Sequence, residues 1–352
     1  MALTVSQRAI WEKARTLGAG EQGMSLGDGA CAYLVARVAY DLGLTNRFPE
    51  FHDNVPELFS KVPPEQLVIL TDVDPLTLYA RLLDLEKDAD TYFACIATLH
   101  KARLKYAKIL KTQPLPTFEQ VGPRGLLQWG AISSPALAAL LLWRKWFFDI
   151  DNRAGQETGY LFEPIIAHSI GGTPAPAKRS PVKRHRDGAK RRQVDCIRGD
   201  RAYELKIRVT IAASGQGRWG EELDFPLDCR ESHYVPVLIV LDSTDNPKLR
   251  DLQRAFLSAG GEVYIGSKAW EHLEDLAGPT MSKFLDRYVR FPLQELLKEA
   301  GKSLRPFSAR MADDTIFLTI GSEELVIERE PSTVDSVDGD EIPEDAEEQI
   351  PG

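Results

Sequence analysis

The sequence predicts an α/β chain, mostly helical over residues 1–150 and alternating strands with helices over 151–300. Three observations carry this. Apolar residues recur at spacings of three and four over Val5–Leu17, Gly27–Gly43, Pro75–Asp84, Thr91–Lys111 and Pro135–Asp149, with breaks at Pro63-Pro64 and Pro114-Leu115-Pro116. Residues 193–208 alternate apolar and polar on both sides of Arg198, Gly199, Asp200 and Arg201, which is the pattern of a hairpin. Tyr234–Leu241 is a near-continuous apolar run, as a strand buried on both faces requires.

Taken in order, the first 150 residues hold no motif with recognisable chemistry. Arg144 and Lys145 lie between Trp143 and Trp146, a spacing that favours core tryptophans with outward-reaching charges over contact with a nucleic-acid backbone. Residues 154–170 read as a helix carrying Glu157 and Glu163. After the apolar strand, Asp242–Pro247 has loop chemistry and Lys248–Ala259 reads as a helix ended by Gly260-Gly261. Glu262–Ile265 is then a short strand, and Lys268–Glu299 reads as two amphipathic helices. Over 301–329, Thr315–Ile320 and Leu325–Glu328 alternate around Gly321–Glu324, which predicts a hairpin. The stretch 330–352 is acidic and almost without large apolar residues, so it is expected to be disordered.

The formal charge of −9 argues against a nucleic-acid protein only if taken whole. Residues 328–352 hold ten acidic residues and one arginine, so that end alone accounts for −9 and the other 327 residues sum to zero. Within them Lys178, Arg179, Lys183, Arg184, Arg186, Lys190, Arg191 and Arg192 face the single acid Asp187. Such a patch is the footprint of phosphate binding, and it sits directly before the hairpin. A solvated basic loop is the competing reading. Gln216, Arg218 and Trp219 lie in a glycine-containing loop past the hairpin, where Gln and Arg side chains read base edges, touch phosphate or order the site.

With a four-residue loop at Arg198–Arg201, Ile197 faces Ala202, Asp195 faces Glu204 and Gln193 faces Lys206. Opposed side chains lie roughly 5 Å apart, and like charges there destabilise a hairpin unless a cation intervenes. Val194, Cys196, Tyr203, Leu205 and Ile207 form the other, apolar face. Oxygen donors without thiol or imidazole suit a hard cation, Mg²⁺ first. A surface Glu–Lys pair is the alternative. His168, His185 and His233 show no metal-ligand spacing.

Asp195, a short spacer and Glu204-Leu205-Lys206 resemble the PD-(D/E)XK nuclease superfamily, with Val194 where the motif has proline. The surrounding helix, strands and helix over 154–265 resemble its core. Within the superfamily the chain is similar to type II restriction endonucleases of the ApaLI-like group, an impression to which Thr210–Trp219 with Glu221 and Glu222 contributes. The resemblance implies a mixed central sheet flanked by helices and Mg²⁺-dependent, sequence-specific cleavage of double-stranded DNA. It implies metal ligation by Asp195, Glu204 and the Leu205 backbone carbonyl, with Lys206 beside the attacking water. It also implies a helical glutamate: Glu163 first, Glu157 second, since six residues place them about 240° apart on a helix. Lys183, Arg184, Arg186, Lys190, Arg191, Arg192, Gln216 and Arg218 are the DNA-contact candidates. A homodimer, a cognate DNA methyltransferase and a prokaryotic cytoplasm complete what it implies. Residues 1–150 would serve dimerisation or DNA contact.

Two rivals stand beside this reading: a structure-specific repair or recombination nuclease of the same fold, and a non-catalytic DNA-binding protein. The first commonly partners an ATPase, and no GxxxxGK[ST] motif is present. The second has no use for an intact Asp195, Glu204 and Lys206. An apolar content of 43% supports real cores, and the longest apolar run, Pro135–Trp143, is too short to span a bilayer. No signal peptide is visible, and four scattered cysteines predict buried thiols in a reducing compartment.

Overall fold

The computed structural model describes residues 3–16, 24–51, 55–208, 216–299 and 301–331. Helix α1 (Val5–Arg15) begins at Thr4, which forms a capping box with Gln7. α2 (Asp28–Asp41) is buried from Cys31 to Ala39, and α3 (Pro75–Leu85) starts on an Asp74 cap with proline at its first position. α4 (Ala89–Thr112) and the short α5 (Phe118–Val121) follow. α6 (Ser134–Ser169) is one 36-residue helix where the sequence predicts two. Residues 150–153 contain Asp and Asn, poor helix formers, but no breaker, so the helix runs through them.

Five strands build the central sheet: β1 (Thr173–Ala175), β4 (Val194–Arg198), β5 (Arg201–Lys206), β6 (Val235–Val240) and β7 (Glu262–Ile265), hydrogen-bonded in the order β1-β4-β5-β6-β7. A separate two-stranded ribbon, β2 (Lys183–Arg184) and β3 (Asp187–Arg191), occupies the basic segment. The β1–β4 and β4–β5 pairs are antiparallel, while β5–β6 and β6–β7 are parallel, so the sheet is mixed. Helices α7 (Gln216–Glu231) and α8 (Pro247–Ser258) cover one face: Phe225, Cys229, Leu249, Leu252 and Phe256 pack with Ala202, Leu238 and Val240. α9 (Ser267–Leu285) approaches the other face, where the Tyr203 hydroxyl lies 3.4 Å from His272 Nε2. This is the mixed sheet flanked by helices, with a mostly helical N-terminal region, that the sequence predicts.

Two elements of the sheet layer differ from expectation. The sequence carries no signal for β1, which is three residues long and contains Pro174. Residues 216–219, expected as loop, belong to a helix that runs from Gln216 to Glu231. Gly217, Gly220 and Pro226 obscured α7, because glycine costs about 1 kcal/mol and proline about 3 kcal/mol against alanine inside a helix. α9 carries a break at Gly278, which takes φ +71° before Pro279, and passes through residues 286–290 into α10 (Phe291–Leu297). The expected C-terminal hairpin gains a strand: β8 (Phe307–Ala312), β9 (Thr315–Ile320) and β10 (Glu323–Glu328) form an antiparallel sheet.

Among the described residues the chain forms two compact units, one of residues 3–101 with 159–295 and one of 102–158 with 296–331. The first contains the five-stranded sheet. The second has its own core, in which Trp146 packs with Ile316, Leu318 and Ile327, and Trp143 and Phe147 lie against them. Arg144 and Lys145 turn to Gln128 and Asp149, so the tryptophans are core residues. All four cysteines are free and buried. No helix among the described residues is long and apolar enough to cross a membrane. The acidic stretch from residue 332 onward lies outside the described residues.

Candidate active site

The β4–β5 register pairs Ile197 with Ala202, Cys196 with Tyr203 and Arg198 with Arg201. Gly199 takes φ +60° in the turn, a left-handed conformation that costs glycine nothing. The expected Asp195–Glu204 pair is not part of this ladder: pairing stops at Cys196–Tyr203, and β4 is irregular against β1 between Ile197 and Val194, which turns Val194 into the layer with Ala202 instead of onto the opposite face. Side chains alternate along β5, so Ala202, Glu204 and Lys206 share one face. That face is not solvated: Ala202 and Ile197 lie in the layer beneath α7 and α8. Glu204 and Lys206 continue the same face to the C-terminal end of β5, where their side chains are only 17% and 18% exposed. The apolar start of the strand anchors the charged end.

Backbone pairing between β4 and β5 ends at Cys196–Tyr203, and beyond it the Leu205 N–H donates to Asp195 Oδ2 at 2.8 Å. The Lys206 carbonyl accepts the Leu241 N–H on the β6 side. Backbone groups of successive residues point to opposite edges of a strand, so those of Leu205 point toward β4 and Asp195.

Electrostatics tie the group together. Burial pushes the Asp195 carboxyl well above the usual carboxylate range, and the charges of Glu204 and Glu163 push it further; the Leu205 N–H and Lys206 oppose them. Burial works against the Lys206 ammonium, but Glu204, Glu222 and Asp195 outweigh it and hold its pKa above the ordinary lysine value. Lys206 Nζ lies 2.9 Å from Glu204 Oε1 and 3.7 Å from Glu222 Oε2.

The two helical glutamates separate. Glu157 Oε1 accepts from Lys105 Nζ at 2.7 Å, an ion pair of its own. Glu163, six residues on along α6, acts electrostatically on Asp195. Its carboxylate folds back over Gly159, coming within 3.4 Å of where a Cβ would stand.

Among the described residues no three His, Cys, Asp or Glu side chains converge as a metal-binding group. The set that fits a cation is smaller: two carboxylates on neighbouring strands and the edge-facing carbonyl of Leu205. All are hard oxygen donors. Their mutual repulsion, read in the raised Asp195 pKa, is what a divalent cation relieves.

The basic segment is largely engaged with α7. Arg184 pairs with Glu221 at 2.7 Å, Arg186 with Asp224 at 2.7 Å and Arg192 with the fully buried Asp228 at 2.6 Å. His185 also reaches Asp228, through its backbone N–H and its ring Nδ1 at 2.6 Å. Glu221, Asp224 and Asp228 are spaced three and four apart, one row along the helix. Arg192 is itself buried, Arg191 bonds the Ser180 carbonyl, and Lys190 pairs with Asp187 at 3.3 Å. Lys183 is exposed. The side chains of Gln216 and Arg218 lie outside the described residues, while Trp219 is partly buried against the α7–α8 layer. The sequence reading gave no role to Glu222, Asp224 and Asp228. The legible signal was an acidic row matched to three arginines of the preceding basic segment.

Comparison with known proteins adds to this geometry. The profile of the ApaLI-like restriction endonuclease family matches residues 69–290. A type II restriction enzyme, ApaLI, from Acetobacter pasteurianus is 43% identical over 339 residues, covering 88% of this chain and 90% of that protein. No solved structure matches.

Proposed function

The chain belongs to the ApaLI-like restriction endonuclease family, a type II restriction endonuclease that cuts DNA at specific sequences, and we propose that the Asp195, Glu204 and Lys206 hairpin is its cleavage centre. The observation that carries this reading is the convergence of an elevated-pKa aspartate, a second carboxylate and a charged lysine at one end of a covered strand. Such repulsive groupings cost stability and concentrate at functional sites.

Type II restriction endonucleases generally use divalent metal ions, and Mg²⁺ is the ion proposed here. Asp195, Glu204 and the Leu205 carbonyl would hold it, and when bound it supplies Lewis-acid activation of the scissile phosphate and of water. Lys206 serves as the cationic group of the chain. Its ammonium offsets charge on the phosphate as the water oxygen attacks phosphorus and one P–O ester bond breaks. Asp195 holds its position through the Leu205 N–H. Glu163 is the proposed helical partner, since it bears on Asp195 while Glu157 is occupied by Lys105. Lys183, Lys190 and Arg191 are the outward cations of the ribbon proposed to meet phosphate, with Arg184 and Arg186 able to exchange a carboxylate for one.

One chain brings one hairpin, and cutting both strands of a duplex symmetrically takes two. A homodimer on a palindromic site is therefore proposed, because two-fold protein symmetry imposes it on the sequence read. Light scattering on cognate DNA should give two chains per duplex; one chain nicking one strand would exclude the dimer. A cognate methyltransferase protecting that site, in a prokaryotic cytoplasm, is the partner this activity requires. Incubation with plasmid and phage DNA plus Mg²⁺ tests the whole reading. Discrete fragments are expected, abolished by EDTA. A smear or uncut DNA overturns it.

A further inference from the structure

Helix α7 brings a third carboxylate to the lysine. Glu222 Oε2 stands 3.7 Å from Lys206 Nζ, with 29% of its side chain exposed. We propose that Glu222 is a positioning residue for Lys206, keeping its ammonium aimed into the site when Glu204 turns to the divalent cation. This rests on the reading of the hairpin as the cleavage centre.

Glu204 faces two demands. In the structure it is the nearest anion to Lys206, at 2.9 Å. As a ligand its charge is shared with a dication, so its hold on the lysine weakens while a new like charge repels the ammonium. A lysine on a four-carbon stem has other rotamers to take. Glu222 comes from a different element, so its place does not depend on β5 or on the cation. Phe225 and Cys229, three and seven residues on, share its face of α7 and pack under β5 and β6. Those two buried contacts fix the face that presents Glu222 to the sheet. The adjacent row of α7 is separately anchored through Asp228 to Arg192.

The same geometry makes Glu222 unfavourable for DNA before metal arrives. Glu204, Glu222 and Asp195 then act on one ammonium, and a phosphate adds another negative charge. Removing the Glu222 charge should therefore move two measurements differently. Wild type, Glu222→Gln, Glu222→Asp and Lys206→Ala are compared by single-turnover cleavage in Mg²⁺ and by affinity for the same cleavable duplex in EDTA. Glu222→Gln should slow the cleavage step roughly tenfold or more. Its EDTA affinity should stay equal to wild type or tighten by roughly threefold. Glu222→Asp should recover part of the rate. A merely structural glutamate would lower rate and affinity together, and that result overturns the proposal, as does a Glu222→Gln rate within about twofold of wild type. Lys206→Ala separates the two levels. If it is inactive while Glu222→Gln cuts normally, only the role of Glu222 fails; if it too cuts normally, the cleavage centre itself is misassigned.

Discussion

Asp195 Oδ2 accepts the Leu205 N–H at 2.8 Å at the point where backbone pairing between β4 and β5 ends, so a side chain continues the ladder. The same carboxyl is disfavoured in its charged form by burial, Glu204 and Glu163. Hydrogen bond and charge can therefore be separated by substitution. Asp195→Asn keeps an acceptor for Leu205 and removes the repulsion. It should unfold at no lower temperature than wild type in EDTA, yet lose cleavage by about 100-fold or more, as should Lys206→Ala. Calorimetry and single-turnover assays check both. Cutting within about tenfold of wild type by either variant would reject the assignment.

Glu163→Gln should impair cleavage more than Glu157→Gln. Glu163 bears on Asp195, whereas Glu157 is committed to Lys105. Loss of that partly exposed pair should cost stability by no more than about 1 kcal/mol. The ratio of the two single-turnover rates decides the matter, and the reverse order would reassign the helical carboxylate.

The hairpin was legible because its information is local: alternation, a Gly-Asp turn, and a register that the Ile197–Ala202 pair reproduces. Val235–Val240 and α8 were legible for the same reason, an apolar run and a capped periodic segment. What failed was non-local. Alternation assigns the core to the face opposite the charges, but α7 and α8 cover the start of the charged face as well. α7 was hidden by Gly217, Gly220 and Pro226. Its ion pairs with Arg184, Arg186 and Arg192 join residues 36 to 38 positions apart, which no local periodicity encodes. The basic segment accordingly read as a loop or phosphate patch, when half of its work is to dock on α7.

That docking predicts a steep gradient of mutational cost along the ribbon. Asp228 is fully buried and held by Arg192 and His185, so Arg192→Ala leaves a buried carboxylate without its guanidinium and one of its oxygens without that donor. The expected loss is about 3–5 kcal/mol. Arg186 is 72% exposed, and breaking its pair with Asp224 should cost less than about 1 kcal/mol. Urea unfolding of both variants provides the test. Similar costs at the two positions would mean that the ribbon is not anchored at its buried end.

His168, on α6, supplies a pH dependence with a definite sign. Burial, with the charge of Lys13, lowers its pKa to about 4. In the unfolded chain the imidazole titrates near 6.5. Above that value both states are neutral and the residue contributes no slope. As pH falls from 6.5 toward 4, the unfolded chain takes up a proton that the folded chain refuses, so stability declines; below about 4 both bind it and the loss levels off. The expected decline between pH 7 and pH 5 is about 2 kcal/mol. His168→Gln removes this contribution and should flatten the stability profile over that interval, whatever its effect on absolute stability. Denaturant unfolding of both proteins at pH 7 and pH 5 measures the difference. Parallel profiles would show that the imidazole is protonated in the folded protein, and that its enclosure on α6 is looser than the structure describes.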